Sequence, residues 1–189
     1  TKGYYLYQEE NDAWLVRAGC YNAANDANIT RYRWVKAPQE INGAIVGDNS
    51  TVEQKINGLR KGALWPYIEN AKSYHCPGDK RSVMVRLPAG GVGGYRSYSI
   101  PGGANGDNEG WGGDKGLLVS GIRLYAIRKY TEISIPGEKY VFVEEAYTHG
   151  GLRNVDTETP NRGFNLNVWS MWNGDVYTAW WDPLAYYHN

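Results

Sequence analysis

A histidine and a cysteine are neighbours at His75 and Cys76, and these two side-chain types can form a nucleophilic thiolate–imidazole pair. Adjacent residues of an extended chain point to opposite sides, however, so the imidazole is turned away from the thiol. Cys76 is also followed by Pro77, Gly78 and Asp79, which together favour a turn. We therefore expect Cys76 to have a structural role.

Two adjacent carboxylates, Glu144 and Glu145, follow the best strand pattern of the chain, at residues 140–143. Carboxylates at a strand end can act as general acid and base, which makes a hydrolase one hypothesis. Because neighbours in a strand diverge, at most one of the two faces a given site. We expect one to form structural hydrogen bonds and the other to be solvated. The sequence contains no GxSxG, HExxH or P-loop motif, and we predict that the protein is not an enzyme.

A glycine-rich stretch, NGDNEGWGGD, places several oxygen-bearing side chains close together. Calcium takes six to eight oxygen ligands, which closely spaced Asp and Asn residues and loop carbonyls can supply. The spacing differs from that of an EF-hand, and a solvated loop is the alternative. The candidate metal ligands are Asn105, Asp107, Asn108 and Asp114, with Glu109 beside them.

Tryptophans in loop-like segments suggest carbohydrate binding as another function, because an exposed indole can stack on a sugar ring. Tryptophans also pack beneath their own loops, and only exposure distinguishes the two. The candidates are Trp111, Trp169, Trp172 and Trp180.

The chain has two cysteines, Cys20 and Cys76, and no cluster with zinc spacing. They are either a disulfide or two separate thiols, and an oxidising compartment favours the disulfide. With 55 residues between them, the bond would stabilise the fold by about 4 kcal/mol in the chain-entropy model.

The composition fits one domain with a substantial core, since the chain has 189 residues. Twenty basic and twenty acidic residues cancel, so nothing indicates a nucleic-acid partner. Tyr (16), Trp (8) and Gly (24) are abundant while Phe (2) is scarce, a bias common in extracytoplasmic proteins. No apolar run of about 18 residues is present.

Two helices are predicted. Tyr4 and Tyr7 lie among helix-compatible residues at the start of the chain, where we expect the end of a longer helix. A second helix is predicted from Ser50, which with Glu53 fits a capping box. Gly58 should weaken it. The other residues of this pattern are an apolar stripe of Val52, Ile56, Leu59 and Ala63, a second glycine at Gly62, and a terminating Pro66.

Short strands and long loops are predicted for the remainder. Residues 90–121 hold 12 of the 24 glycines and should be mostly loop. The strand candidates are RYRWV, SVMVRL, YRSYSI, IRLYAIRKY and YVFV, the last entered through a Pro-Gly turn.

At residues 64–79, LWPYIENAKSYHCPGD, the chain resembles the pseudopilin-like proteins of the prepilin-type, H-X9-DG family, which are labelled type II secretion or general secretion pathway protein G-like. GYYLYQEENDAWLV, YTEISIPGEKYVFVEE and NRGFNLNVW…WWDPLAYYHN resemble further stretches of that family, in the same order. The motif positions that match are Pro77, Asp79, Glu144, Asp182 and His188.

The resemblance implies a fold and a role. Residues 1–189 would be a single α+β, pilin-like head, with an N-terminal helix remnant packed on a small antiparallel sheet and long Gly-rich loops. The apolar helix would precede Thr1, and His188 would open a closing motif that continues past Asn189. The protein would act by assembly with other pseudopilins and the inner-membrane secretion machinery, at the periplasmic face or the cell surface. Calcium is the candidate ion, and a secreted carbohydrate-binding module is the alternative function.

Overall fold

We describe the chain from a computed structural model. The residues that it describes are 2–18, 32–46, 50–80, 95–101, 105, 117–119, 122–124, 127–139, 141–144 and 164–165. Of the site residues named above, Cys20, Asp107, Asn108, Glu109, Asp114, Glu145, Asp182 and His188 lie outside these ranges.

Three α-helices occur in the described part of the chain: α1 (Lys2–Glu10), α2 (Val52–Arg60) and α3 (Trp65–Ile68). Short 3₁₀ helices span Ala71–Tyr74, Tyr130–Glu132 and Pro136–Glu138. Within these described residues, no helix is long and apolar enough to cross a membrane.

The cap of α2 lies one residue later than the sequence predicts. Thr51 is the N-cap: its hydroxyl accepts from the Gln54 N–H (3.2 Å), and the Gln54 side chain accepts from the Thr51 N–H (2.7 Å). Both Ser50/Glu53 and Thr51/Gln54 satisfy the capping-box spacing, so the sequence pattern alone was ambiguous. Ser50 is instead buried just before the helix. The predicted cap at Ser50 is therefore wrong.

The end of α2 also differs from the prediction. The helix stops at Arg60, ahead of Pro66, and Lys61 donates its N–H to Asn57 O (3.2 Å) as the C-cap. Pro66 lies in the first turn of α3, where a missing N–H costs no intrahelical hydrogen bond. The proline thus begins the next helix.

Five short strands are described: β1 (Tyr98–Pro101), β2 (Leu117–Val119), β3 (Ile122–Leu124), β4 (Val143–Glu144) and β5 (Phe164–Asn165). β1 is the central strand of a three-stranded sheet in the order β4-β1-β5. It runs antiparallel to β4 and parallel to β5, so this sheet is mixed, whereas the sequence hypothesis was an antiparallel one. β2 and β3 pair separately and antiparallel.

The strand predictions have different outcomes. The YRSYSI stretch overlaps β1, which continues to Pro101, and the IRLYAIRKY stretch contains β3. Of the described residues of the YVFV stretch, 141–143, only Val143 is in a strand, and the Pro136-Gly137 pair lies in a 3₁₀ helix. In RYRWV, Arg33 forms one isolated bridge with Arg17 where a strand was expected. SVMVRL lies outside the described residues.

The core gathers around Trp34, which is 1% exposed. Its indole N–H donates to Ala18 O (2.7 Å), and its ring stacks on Tyr74, with centroids 5.9 Å apart. Phe142 packs against the same indole and against Tyr4 of α1. Tyr4 and Tyr7 of α1 therefore pack in the core, while Tyr5 is exposed on another side of the helix.

Helix α2 approaches residues 34–37 unusually closely. A Cβ placed on Gly58 would lie 2.5 Å from Lys36 O, and one on Gly62 would lie 2.1 Å from Trp34 O. The Lys36 N–H donates to Gly58 O (3.0 Å) across this contact. The glycines, which weaken a helix intrinsically, are what allow the two backbones to meet.

Candidate functional site

The turn at residues 76–79 is tied to the segment before β1 by one serine. The Asp79 N–H donates to Cys76 O (2.9 Å) and closes the turn. Ser97 Oγ accepts from the Cys76 N–H (3.0 Å) and donates to Asp79 Oδ2 (2.6 Å). Asp79 and Ser97 are each 2% exposed. A buried carboxylate is costly unless it is hydrogen-bonded, so Ser97 holds the turn in place.

His75, Ser97 and Asp79 have the residue types of a catalytic triad, but the connections differ. His75 Nδ1 lies 2.5 Å from Tyr95 O, a group that only accepts, so Nδ1 carries its proton toward that carbonyl. The same nitrogen is 3.4 Å from Ser97 Oγ, and it cannot take the serine proton. In a triad the histidine lies between the serine and the acid; here the serine lies between the other two. The geometry fits a structural clamp.

Two of the positions that carry the resemblance, Pro77 and Asp79, lie in this turn and differ in burial. Asp79 is buried, while Pro77 is exposed at the turn. Cys76 is fully buried, and its candidate disulfide partner Cys20 lies outside the described residues. The disulfide therefore stays a prediction. The burial of Asp79 and the exposure of Pro77 could not be predicted from the sequence. The serine that binds Asp79 is 18 residues away along the chain.

Glu144 lies in β4 directly across from Tyr98 of β1 and is half-buried. Burial, followed by the neighbouring Cys76 and Glu144, raises the pKa of the Tyr98 hydroxyl. Glu145 is not described, so the two-carboxylate hypothesis for a hydrolase stays untested on that side chain.

Of the four candidate calcium ligands, only Asn105 lies within the described residues. Its side-chain N–H donates to Leu15 O (2.7 Å), and its backbone N–H donates to Ile127 O (2.8 Å). Asn105 thus joins two distant segments. Among the residues with described positions, no group of three or more His, Cys, Asp or Glu could hold a metal ion.

A cavity of about 600 Å³ opens where α1 ends, and we call it the helix-end cavity. Sequence reasoning missed it. The signal that could have indicated it is the run Glu10-Asn11-Asp12 just before an indole, since aromatic and acidic residues at a helix end suit a binding site. The residues that line the cavity include Glu10, Asn11, Asp12, Trp14, Arg17, Tyr32 and Asn105.

A second cavity, of about 510 Å³, lies at the start of α1 beside Lys2 and Gly3. Five of its ten lining residues are aromatic, and two of these, Trp34 and Tyr74, belong to the buried core. Burial raises the pKa of the Tyr74 hydroxyl, which stays protonated at any ordinary pH. Glu144 lines neither of these two cavities.

No protein-family model matches this chain, and neither a curated protein nor a solved structure matches it.

Proposed function

We propose that the chain is the head of a pseudopilin-like subunit that assembles into a type II secretion or type IV pilus-like filament. One globular domain spans residues 1–189 in this proposal, and it follows an apolar helix. The resemblance of the four stretches supports it. The observation that carries it is the two-sided character of α1.

One side of α1 packs into the head. Tyr4 and Tyr7 are each 4% exposed, and Tyr7 meets Tyr67 edge to face at 5.8 Å. A Cβ on Gly3 would lie 2.5 Å from Ile68 Cγ1, so the helix lies close against α3. A spine helix that carries a head needs this kind of attachment.

The other side of α1 leaves apolar side chains in solvent. Tyr5 is 54% exposed, with its ring edge to face with that of Tyr130 at 6.0 Å between centroids, and Leu6 is 37% exposed. Burying them against a neighbouring helix would contribute roughly 25 cal/mol per Å² of apolar surface. In a filament these residues would face the helix of the next subunit, which is the role we assign to them.

Assembly needs no active site, and the Ser97 clamp is consistent with a structural role. We place the protein at the periplasmic face of the inner membrane or at the cell surface, with other pseudopilins and the secretion machinery as partners. Calcium in the Gly-rich loop remains part of the proposal. The alternative function is a secreted carbohydrate-binding module. The four tryptophans predicted to bind sugar in that module lie outside the described residues, so the structure adds no observation in favour of this alternative.

The first experiment is to sequence the gene through both flanks of this segment. We expect a short basic leader followed by about 20 apolar residues upstream, and an Asp-Gly ten residues beyond His188. An ordinary secretory signal with no spanning helix would contradict the proposal.

The second experiment tests the exposed side of α1 in the full-length protein. We expect a short bis-maleimide to trap Leu6→Cys subunits as covalent dimers, because the one introduced thiol of each subunit can be joined to only one neighbour. Ile41→Cys is the control, because Ile41 is 81% exposed and is not part of α1. Equal cross-linking at both positions, or none at position 6, would argue against a packed helix.

A further inference from the structure

The helix-end cavity combines two exposed aromatic rings with a polar lining. Trp14 is 41% exposed and Tyr32 is 36% exposed. The backbone places them close together, because the Arg17 N–H donates to Tyr32 O (2.9 Å) three residues after Trp14. The described cavity is about 600 Å³, within the usual range for small-molecule sites.

One face of the indole is already occupied. Lys129 Nζ lies 5.2 Å from the centroid of the Trp14 ring, which is cation–π distance. The cation attracts the ring from this face, and the ligand proposed below would use the other face. A flat apolar face suits the C–H face of a sugar ring.

The polar lining comes from the last residues of α1 and the turn that follows. Tyr67 Oη donates to Glu10 Oε2 (2.8 Å), which fixes this carboxylate at the cavity wall. The Asn11 side-chain N–H donates to Tyr7 O (2.7 Å). Asp12 is exposed beside them. Fixed carboxylate and amide groups can accept and donate hydrogen bonds to neighbouring hydroxyls of a ligand.

The backbone around the cavity has three residues with positive φ. Asp12 (φ 51°), Ala13 (φ 64°) and Asn105 (φ 51°) all adopt the left-handed conformation, which Asp and Asn tolerate but which is unfavourable for Ala13. The other non-glycine residues with positive φ in the described ranges are Glu69 and Ile135. Unfavourable conformations such as that of Ala13 concentrate at ligand sites, where the surrounding structure maintains them.

The charges around the cavity select the class of ligand. Glu10 and Asp12 are acidic, while Arg17 lines the cavity and Lys129 covers the indole. Among the described residues at the cavity, two negative and two positive groups balance, so these four groups give neither an anion nor a cation a net attraction. We propose that the helix-end cavity binds a neutral saccharide, which stacks on Trp14 and donates its hydroxyls to the Glu10 and Asp12 carboxylates. This site does not depend on the filament role.

The test is isothermal titration calorimetry of the 189-residue chain with three soluble probes: cellobiose, maltose and N,N′-diacetylchitobiose. We expect at least one of them to bind saturably, with Kd of about 1 mM or below. Trp14→Ala should weaken that binding about tenfold or more, because it removes the stacking surface. Tyr5→Ala is the matched control, since Tyr5 is an exposed aromatic that lies outside the cavity.

A second variant keeps the test valid if Trp14→Ala fails to fold. Asp12→Asn preserves the left-handed conformation, which Asn tolerates as well as Asp does. It removes the charge, and we expect binding about tenfold weaker, because charge-assisted hydrogen bonds are the stronger ones. Three results would each overturn the proposal: no saturable binding of any probe, binding unchanged in Asp12→Asn, or a loss in Tyr5→Ala equal to that in Trp14→Ala.

Discussion

Replacing Gly58 with alanine gives an unusually direct test of the packing of α2. In an exposed helix interior this change stabilises a protein by about 1 kcal/mol. Here the added Cβ would lie 2.5 Å from Lys36 O and 2.7 Å from Ala37 O. Real Cβ atoms do not approach backbone oxygens so closely, so α2 and residues 36–37 must move apart by several tenths of an ångström.

The magnitude follows from what that movement disrupts. The hydrogen bond from the Lys36 N–H to Gly58 O (3.0 Å) lengthens or breaks, at about 1 kcal/mol. Overpacking of a close contact adds about 1–3 kcal/mol. After subtracting the gain in helix propensity, we expect Gly58→Ala to lower the free energy of unfolding by about 1–3 kcal/mol. Gly62 lies past the helix end, so Gly62→Ala has no such gain and should cost about 2–4 kcal/mol.

Urea unfolding followed by far-UV circular dichroism measures these changes through the midpoint at constant m-value. Gly137→Ala is the matched control, because a Cβ there would meet nothing within 4 Å. We expect it to change stability by less than about 0.5 kcal/mol. If Gly58→Ala is as stable as the parent, or more stable, the close backbone contact between α2 and residues 36–37 is refuted.

Three further changes test other contacts. Ser97→Ala removes the hydroxyl that donates to buried Asp79 and should lower the free energy of unfolding in urea by about 2–4 kcal/mol. Ser73→Ala is the control, because Ser73 is exposed and its replacement should leave that free energy almost unchanged. Equal effects of the two substitutions would contradict the role of Ser97 in holding the turn. Thr51→Ala should lower the free energy of unfolding by about 1 kcal/mol, while Thr51→Ser should retain most of the stability. If the melting temperatures of these two variants are indistinguishable, Thr51 is not the cap. Burial, then Lys61 and Arg33, lowers the pKa of Lys36, so the folded state releases this proton at lower pH than the unfolded state. Its contribution to stability therefore rises as pH increases from the lowered pKa toward 10.5. Lys36→Met should remove that rise and stabilise the fold by up to about 1 kcal/mol at neutral pH, and an unchanged pH dependence of the melting temperature would refute it.

The local features of this protein could be predicted from its sequence. Helix α1, with Tyr4 and Tyr7 on its packed side, follows from the spacing of aromatics among helix-forming residues. A helix after residue 50 and a turn at residues 76–79 follow from capping and Pro-Gly chemistry. Each of these depends on residues within a few positions of one another, where the backbone period and the allowed φ and ψ angles already determine the outcome.

The features that define the candidate sites depended on tertiary structure. From helix propensity alone, Gly58 is expected only to weaken α2. The tertiary structure shows why a glycine is needed there: residues 36–37 lie against it, and helix propensity carries no information about contacts with a segment distant in sequence. Ser97 and Asp79 are separated by 18 residues, and no spacing rule joins them. Tyr32 and Trp14 line one cavity, and the hydrogen bond from the Arg17 N–H to Tyr32 O joins their two segments. The sequence by itself determined which residues form helices and turns. Contacts between segments decided which glycines are required, which acid is buried and where a cavity opens. These three features depend on which other segments each part of the chain packs against after folding.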